Sequence, residues 1–309
     1  MRQLVRPARL APGARVAVVA TSGPVPEERL QAGLDVLRGW DLDPVAAPHA
    51  LDRHPGSGYL AGTDADRAAD LQNAWCDPAV DAVLCARGGY GAQRLIDLLD
   101  WEAMRAAGPK VFVGFSDLTV LHEAFATRLG LATLHGPMAA GLDLIKNEQA
   151  QEHLRATLFA PETVRTVIST GGGALVPGRA RGVTLGGWLT QLASELGLPH
   201  ARRSARGGLL CLEDVGQETP HLDRCLTQLL RAGWLDGVRG VLLGSWQDCA
   251  GYAEEIRPLL ADRLGTLGVP VAENVGFGHC AGALTIPFGA AAELDADAGT
   301  LTLDEPALR

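Results

Sequence analysis

Short apolar runs that end in glycine-bearing turns and give way to helical spacing recur along the first half of the chain, and they leave few folds open. Arg15–Ala20 runs into Thr21-Ser22-Gly23-Pro24, after which Glu27–Arg38 carries Leu30, Leu34 and Leu37 on one helical face. Asp81–Ala86 runs into Arg87-Gly88-Gly89-Tyr90-Gly91, followed by a helix over Ala92–Leu99. Val111–Val113 breaks at Gly114, and Leu118, Leu121, His122 and Phe125 share the face of a helix reaching about Leu129. Pro44–Ala47 and Ala132–His135 add strands, and Thr63 caps a helix to Trp75, with Asp66 completing a carboxylate form of the capping box. Strands alternating with helices predict an α/β fold with a parallel, doubly wound sheet, because a parallel pair needs a crossover of a dozen or more residues.

In the flavodoxin-like order 2-1-3-4-5, the third and fourth strands are neighbours. That order places the Gly88-Gly89 turn beside Ser116 at the carboxyl edge of the sheet, where such folds bind ligands. Ser116 itself stands at the tip of a strand–turn–helix, so its hydroxyl is exposed above a helix N-terminus that favours developing negative charge. The same placement serves Ser116 or Asp117 as an ordinary N-cap. The stretch also departs from the G-x-S-x-G elbow, since Leu118 stands where the second glycine belongs. Two consecutive glycines leave backbone N–H groups open to a reacting oxygen, or simply make a tight turn. RGGYG matches neither a dinucleotide fingerprint nor a Walker sequence.

At 309 residues the chain has length for two cores. The reading is an N-terminal α/β domain over 1–160, a Gly- and Pro-rich connection over 161–182, and a smaller, strand-rich α+β domain over 183–309. In the last of these, Val183–Leu185, Leu209–Leu212, Val238–Leu243, Val269–Glu273, Leu284–Ile286 and Leu301–Leu303 read as strands, with helices over Trp188–Leu196 and His221–Arg231. A net charge of −9 argues against a nucleic-acid or anionic-membrane partner. No segment approaches the roughly 20 apolar residues of a membrane span, and the run Val16–Ala20 is too short for a signal peptide. The six cysteines form no C-x-x-C pair, which favours buried free thiols in a reducing cytoplasm over zinc.

A serine nucleophile requires a base and a group that orients it. Of eight histidines, His49, His54, His153 and His200 read as surface residues, His122 as packed behind Ser116, and His221 as belonging to a helix start. His135, in His135-Gly136-Pro137-Met138, and His279, in Gly276-Phe277-Gly278-His279, remain rival bases. Glu213 ends an apolar strand and is a candidate orienting acid, with Asp214 and Glu218 as alternatives; strand alternation sends Glu213 and Asp214 to opposite sides.

ARGGYG (Ala86–Gly91), VGFSDLT (Val113–Thr119), HGPM (His135–Met138), LEDVGQ (Leu212–Gln217) and GFGHCAGALTIPFG (Gly276–Gly289) occur in this order. Together they resemble the LD-carboxypeptidases, serine peptidases of bacterial cell-wall recycling that include the microcin C immunity peptidases. The resemblance covers nearly the whole chain. It implies a class I amidotransferase-like N-terminal fold and a Ser–Glu–His triad on Ser116, Glu213 and His279, with oxyanion amides from the Gly88-Gly89 turn and Asp117. It also implies no cofactor, a homodimer, and release of a terminal D-alanine from murein tetrapeptides. Arg87 would be a donor for the terminal carboxylate, or a surface or interdomain ion pair. One departure is Gly186-Gly187-Trp188-Leu189, where the family often reads GGNL; Trp188 would reshape a substrate wall or pack between domains. The alternatives are hydrolysis of an aminoacyl-nucleotide and a noncatalytic α/β protein that binds an anion at Gly88-Gly89.

Overall fold

The computed structural model describes residues 2–168, 171–199 and 201–309. Five strands form the first sheet's parallel part: β1 (Arg15–Val19), β2 (Asp43–Ala46), β3 (Ala82–Cys85), β4 (Val111–Gly114) and β5 (Thr133–His135). Their order is β2-β1-β3-β4-β5, as the alternation predicts. β3 and β4 are buried throughout, which is why they read as continuous apolar runs. The helix Asp64–Cys76 starts where Thr63 Oγ1 accepts the Asp66 N–H. The helix expected over Ala92–Leu99 shrinks to a short turn, Ala92–Leu95. Asp100 Oδ1 then accepts the N–H groups of Glu102 and Ala103, and this cap starts a separate helix, Trp101–Ala107.

The second sheet takes β6 (Thr166–Ile168), β7 (Gly173–Val176), β8 (Arg179–Trp188), β9 (Gly208–Val215), β10 (Gly240–Gln247) and β11 (Val271–Glu273). Next in sequence comes β12 (Ile286–Phe288), followed by β13 (Ala291–Asp295) and β14 (Thr300–Leu303). The second sheet's order is β6-β14-β13-β8-β9-β10-β11-β7, parallel from β8 to β11 and antiparallel at both flanks. The expected connection over 161–182 therefore carries β6, β7 and the start of β8. Its edge strands pair with Thr300–Thr302 and with Val271–Glu273, so their partners lie about a hundred residues away and no local periodicity announces them.

β12 leaves the second half and pairs antiparallel with β5 on the edge of the first sheet. The two halves consequently share a core. One cluster of buried side chains runs from Val16, Leu84 and Val113 through Phe277 and Phe288 to Leu209, Cys211 and Leu242. Helices Leu142–Lys146 and Glu148–Phe159 contribute Leu144, Leu154 and Leu158 to the same cluster. All six cysteines are free thiols. Among the described residues no helix is long and apolar enough to cross a membrane.

Candidate active site

Ser116 follows β4 directly and has φ 66, a left-handed conformation that a non-glycine residue adopts only where surrounding structure enforces it. A short turn, Ser116–Leu118, continues into the helix Thr119–Ala124, so the serine stands at a helix N-terminus as the sequence predicts. The residue is buried rather than exposed as expected, at 6% accessibility, because the Gly88 turn packs against it, and its Oγ makes no hydrogen bond among the described residues. Gly88 faces it: a Cβ on Gly88 would lie 3.0 Å from Ser116 Cβ and 3.1 Å from Oγ. A side chain there would fill the space in front of the hydroxyl. The Gly88-Gly89 turn thus lies beside Ser116, as the pairing of β3 with β4 predicts.

The Asp117 side chain is buried beneath this turn. Its Oδ2 accepts the Ser22 hydroxyl (2.6 Å) and the Ala92 N–H (2.8 Å), tying together the turns that follow β1, β3 and β4. Burial pushes this carboxyl's pKa up, while the Ser22 and Ala92 hydrogen bonds hold it back. Arg67, also buried, donates to the carbonyls of Thr21 and Gly91. The carboxyl edge of the first sheet is thus braced by a polar network that local sequence patterns do not reveal.

From the second half, Glu213 near the end of β9 is fully buried, and His279 Nδ1–H donates to its Oε2 at 2.6 Å. Burial raises the Glu213 pKa, and the His279 hydrogen bond opposes that shift. Glu213 Oε1 has no hydrogen-bond partner among the described residues. The Phe115 ring lies 4.9 Å from the imidazole of His279, bringing the histidine alongside the residue that precedes Ser116. Glu213 and His279 are thus joined directly, and the imidazole lies against the residue that precedes Ser116. Such a set can take a proton from a hydroxyl and hold the resulting imidazolium against a carboxylate.

Gly278 is the residue that lets the imidazole reach Glu213. It has φ +89, and a Cβ on it would lie 2.7 Å from Glu213 Cγ and 2.8 Å from Oε2. Gly278→Ala should destabilise the fold by about 2–4 kcal/mol through backbone strain and overpacking. Chemical denaturation measures this directly, and an unchanged midpoint would contradict it.

The rival histidines are placed elsewhere. His122 is buried, donating from Nε2 to the Gly114 carbonyl (2.8 Å) and accepting the Thr133 hydroxyl at Nδ1 (2.8 Å). Burial pushes its pKa down to about 4. His135 is buried among Phe115, Phe277 and Phe288 with neither ring nitrogen partnered, so it packs rather than faces the opening. His49 pairs with Asp70 at 2.8 Å and His221 lies beside Thr190, while His200 falls outside the described residues. His153 is not the surface residue expected: it is half-buried and its Nδ1 accepts the Thr285 N–H.

Asp214 points away from Glu213, as strand alternation requires. Its carboxylate accepts Trp188 Nε1–H (2.6 Å), the Thr190 N–H (2.9 Å) and hydroxyl (2.8 Å), and the Val215 N–H (2.8 Å). Trp188 is thereby held with its ring 6.5 Å from that of His279, and its backbone N–H donates to Thr119 Oγ1 (3.0 Å). The indole borders the histidine. Arg87 forms no ion pair among the described residues and donates instead to the Pro24 carbonyl (2.9 Å). Glu218 stands just before the helix Thr219–Arg231, outside this group.

Comparison with known proteins adds to this geometry. Residues 16–136 match the LD-carboxypeptidase N-terminal domain family and residues 181–294 its C-terminal domain family. A Streptomyces coelicolor protein, named only provisionally as a carboxypeptidase, is 82% identical over 308 residues, covering 100% of this chain and 99% of that protein. The murein tetrapeptide carboxypeptidase of Pseudomonas aeruginosa is 34% identical over 292 residues, covering 91% of this chain and 93% of its own. The crystal structure of muramoyltetrapeptide carboxypeptidase from Oxalobacter formigenes superposes with a TM-score of 0.81 at 28% identity, covering 95% of this chain and 100% of its own. The microcin C7 self immunity protein shares the fold, with a TM-score of 0.87 at 21% identity over 99% of this chain and 100% of its own.

Proposed function

Because the chain belongs to the LD-carboxypeptidase family, we propose that it is a serine peptidase that removes the terminal D-alanine from murein tetrapeptides. The observation that carries this reading is the 2.6 Å hydrogen bond between Glu213 and His279, set beside a serine at φ 66. In this reading His279 takes the proton of Ser116, whose oxygen attacks the carbonyl of the L,D-amide bond. Glu213 keeps the Nδ1–H tautomer and stabilises the imidazolium. The backbone N–H groups of the Gly88-Gly89 turn and of Asp117 receive the oxyanion. His279 then protonates the leaving D-alanine amine, and water, activated by the same imidazole, releases the acyl group from Ser116.

Arg87, which adjoins the Gly88-Gly89 turn and has no carboxylate partner among the described residues, is the donor this reading assigns to the substrate's terminal carboxylate. The chemistry calls for no cofactor. Recycled stem peptides place the reaction in the cytoplasm, and the family resemblance supports a homodimer.

Stereochemistry tests the proposal. An L-alanine in the leaving position must misplace either its methyl or its carboxylate. A lost charged hydrogen bond or a clash of about 3 kcal/mol would reduce kcat/KM by about a hundredfold. A tetrapeptide ending in D-alanine should be cleaved at that bond and its L-alanine epimer barely at all; equal kcat/KM for the two would eliminate this reading. The indole of Trp188 beside His279 favours one second reading, an aminoacyl-nucleotide whose base stacks on that ring. Cleavage of an aminoacyl-adenylate analogue, with both peptides refused, would select it.

A further inference from the structure

His279 lies on the loop that crosses from β11 in the second sheet to β12 in the first, while Ser116 follows β4, so something must hold the loop carrying the imidazole at a set distance from the serine turn. The loop is closed at its neck by the hydrogen bond from Leu284 N–H to the Gly276 carbonyl (2.8 Å). From the second sheet it is anchored three times, first by Ser245 N–H donating to the Phe277 carbonyl (2.9 Å). Ser245, on β10, donates its hydroxyl to the His279 carbonyl (2.8 Å), and Glu213 accepts the His279 Nδ1–H. None of these three bonds reaches the first sheet.

Besides the packing of Phe115 on the His279 ring, two side chains outside the triad hydrogen-bond the loop from helices that pack against the first sheet. Asp143, on the helix Leu142–Lys146, accepts the Gly282 N–H at Oδ1 (3.2 Å). His153, on the helix Glu148–Phe159, accepts the Thr285 N–H at Nδ1 (3.1 Å). Both helices pack into the core shared with the first sheet through Leu144, Leu154 and Leu158. We propose that Asp143 and His153 are positioning residues that clasp the Cys280–Thr285 segment to the nucleophile's side of the molecule and so hold His279 in register with Ser116.

The chemistry of the two acceptors fits the role. Each takes a main-chain N–H, which fixes backbone rather than a mobile side chain. His153 can accept at Nδ1 only when that nitrogen is unprotonated, and burial pushes its pKa below the ordinary histidine value, favouring the neutral ring. Pairing of β12 with β5 fixes the segment from Ile286 onward, seven residues past His279. Without the clasp, the intervening residues would keep packing contacts with the first half but, among the described residues, no hydrogen bond to it. A displacement of about 1 Å in a reacting group can lower turnover by up to about a hundredfold.

This inference rests on the reading of Ser116 and His279 as nucleophile and base. The test compares Asp143→Ala and His153→Ala with Asp143→Asn and His153→Asn, whose side-chain oxygens can still accept the same N–H groups. Turnover of the D-alanine tetrapeptide is measured alongside thermal melting. Each alanine variant should lose about tenfold or more in kcat with KM within about twofold, and each asparagine variant should recover most of that loss. Wild-type kcat in both alanine variants would overturn the clasp, as would asparagine variants as impaired as the alanine ones. If an alanine variant fails to fold, its asparagine counterpart decides at that position: near-wild-type kcat supports the clasp and a large loss in a folded protein overturns it. His279→Ala serves as the control. Full activity in that variant would sink the triad reading itself, whereas an inactive His279→Ala with intact alanine clasp variants would sink only the clasp.

Discussion

Ser116→Ala is expected to lower kcat by at least about three orders of magnitude while the protein remains folded. The expectation has two parts with separate physical grounds. Loss of activity follows from removing the hydroxyl that faces Gly88, on the residue after Phe115, whose ring packs on His279. Preservation of the fold follows from the hydrogen-bond pattern, because Ser116 Oγ makes no bond among the described residues that alanine would forfeit. Asp117, which ties the three turns together through Ser22 and Ala92, is left in place. Steady-state turnover with a D-alanine tetrapeptide, read together with far-UV circular dichroism and a thermal melt, checks both parts. Near-wild-type turnover in a well-folded variant would remove Ser116 from the mechanism.

The second large effect separates two adjacent carboxylates. Glu213→Gln should lower kcat by about three orders of magnitude, because it removes the negative charge that offsets the imidazolium and no longer enforces the Nδ1–H tautomer. The neutral amide would also sit in a fully buried place where Oε1 already lacks a partner. Asp214→Asn should lower kcat by about tenfold or less, since Asp214 contacts Trp188, Thr190 and Val215 rather than His279. All its contacts are donors, so an asparagine NH₂ would oppose one of them, loosen the indole and raise KM. Kinetics of the two isosteric variants decide the matter. A larger kcat loss for Asp214→Asn than for Glu213→Gln would mean that the wrong carboxylate had been placed in the relay.

The parts of the site that could be read from the chain are those with a local signature. β3 and β4 are buried on both faces, so Asp81–Ala86 and Val111–Val113 announce themselves as apolar runs, and parallel strands in sequence order predict that the turns after them are neighbours. The opposite facing of Glu213 and Asp214 follows from the two-residue period of a strand. The choice between His135 and His279 had no such signature. It came from resemblance to a family, and the two histidines differ in the structure through burial: His135 packs among three phenylalanine rings, while His279 remains partly exposed.

What the sequence determined by itself was the set of elements whose order, burial and period are encoded within about a dozen residues. These are the doubly wound first sheet, the serine at a strand–turn–helix tip, and the register that turns Glu213 and Asp214 apart. Only the tertiary structure decided the rest. β6 and β7 emerged from what reads as a glycine-rich connection because their partners lie about a hundred residues away. β12 crossed to the first sheet, Asp117 gathered three turns, Arg87 turned to a backbone carbonyl, and Asp143 with His153 reached the His279 loop. The physical reason is common to all of them. A hydrogen bond between groups 25 to 139 residues apart leaves no periodicity in the chain, and its partners become identifiable only when hydrophobic burial has brought their elements together.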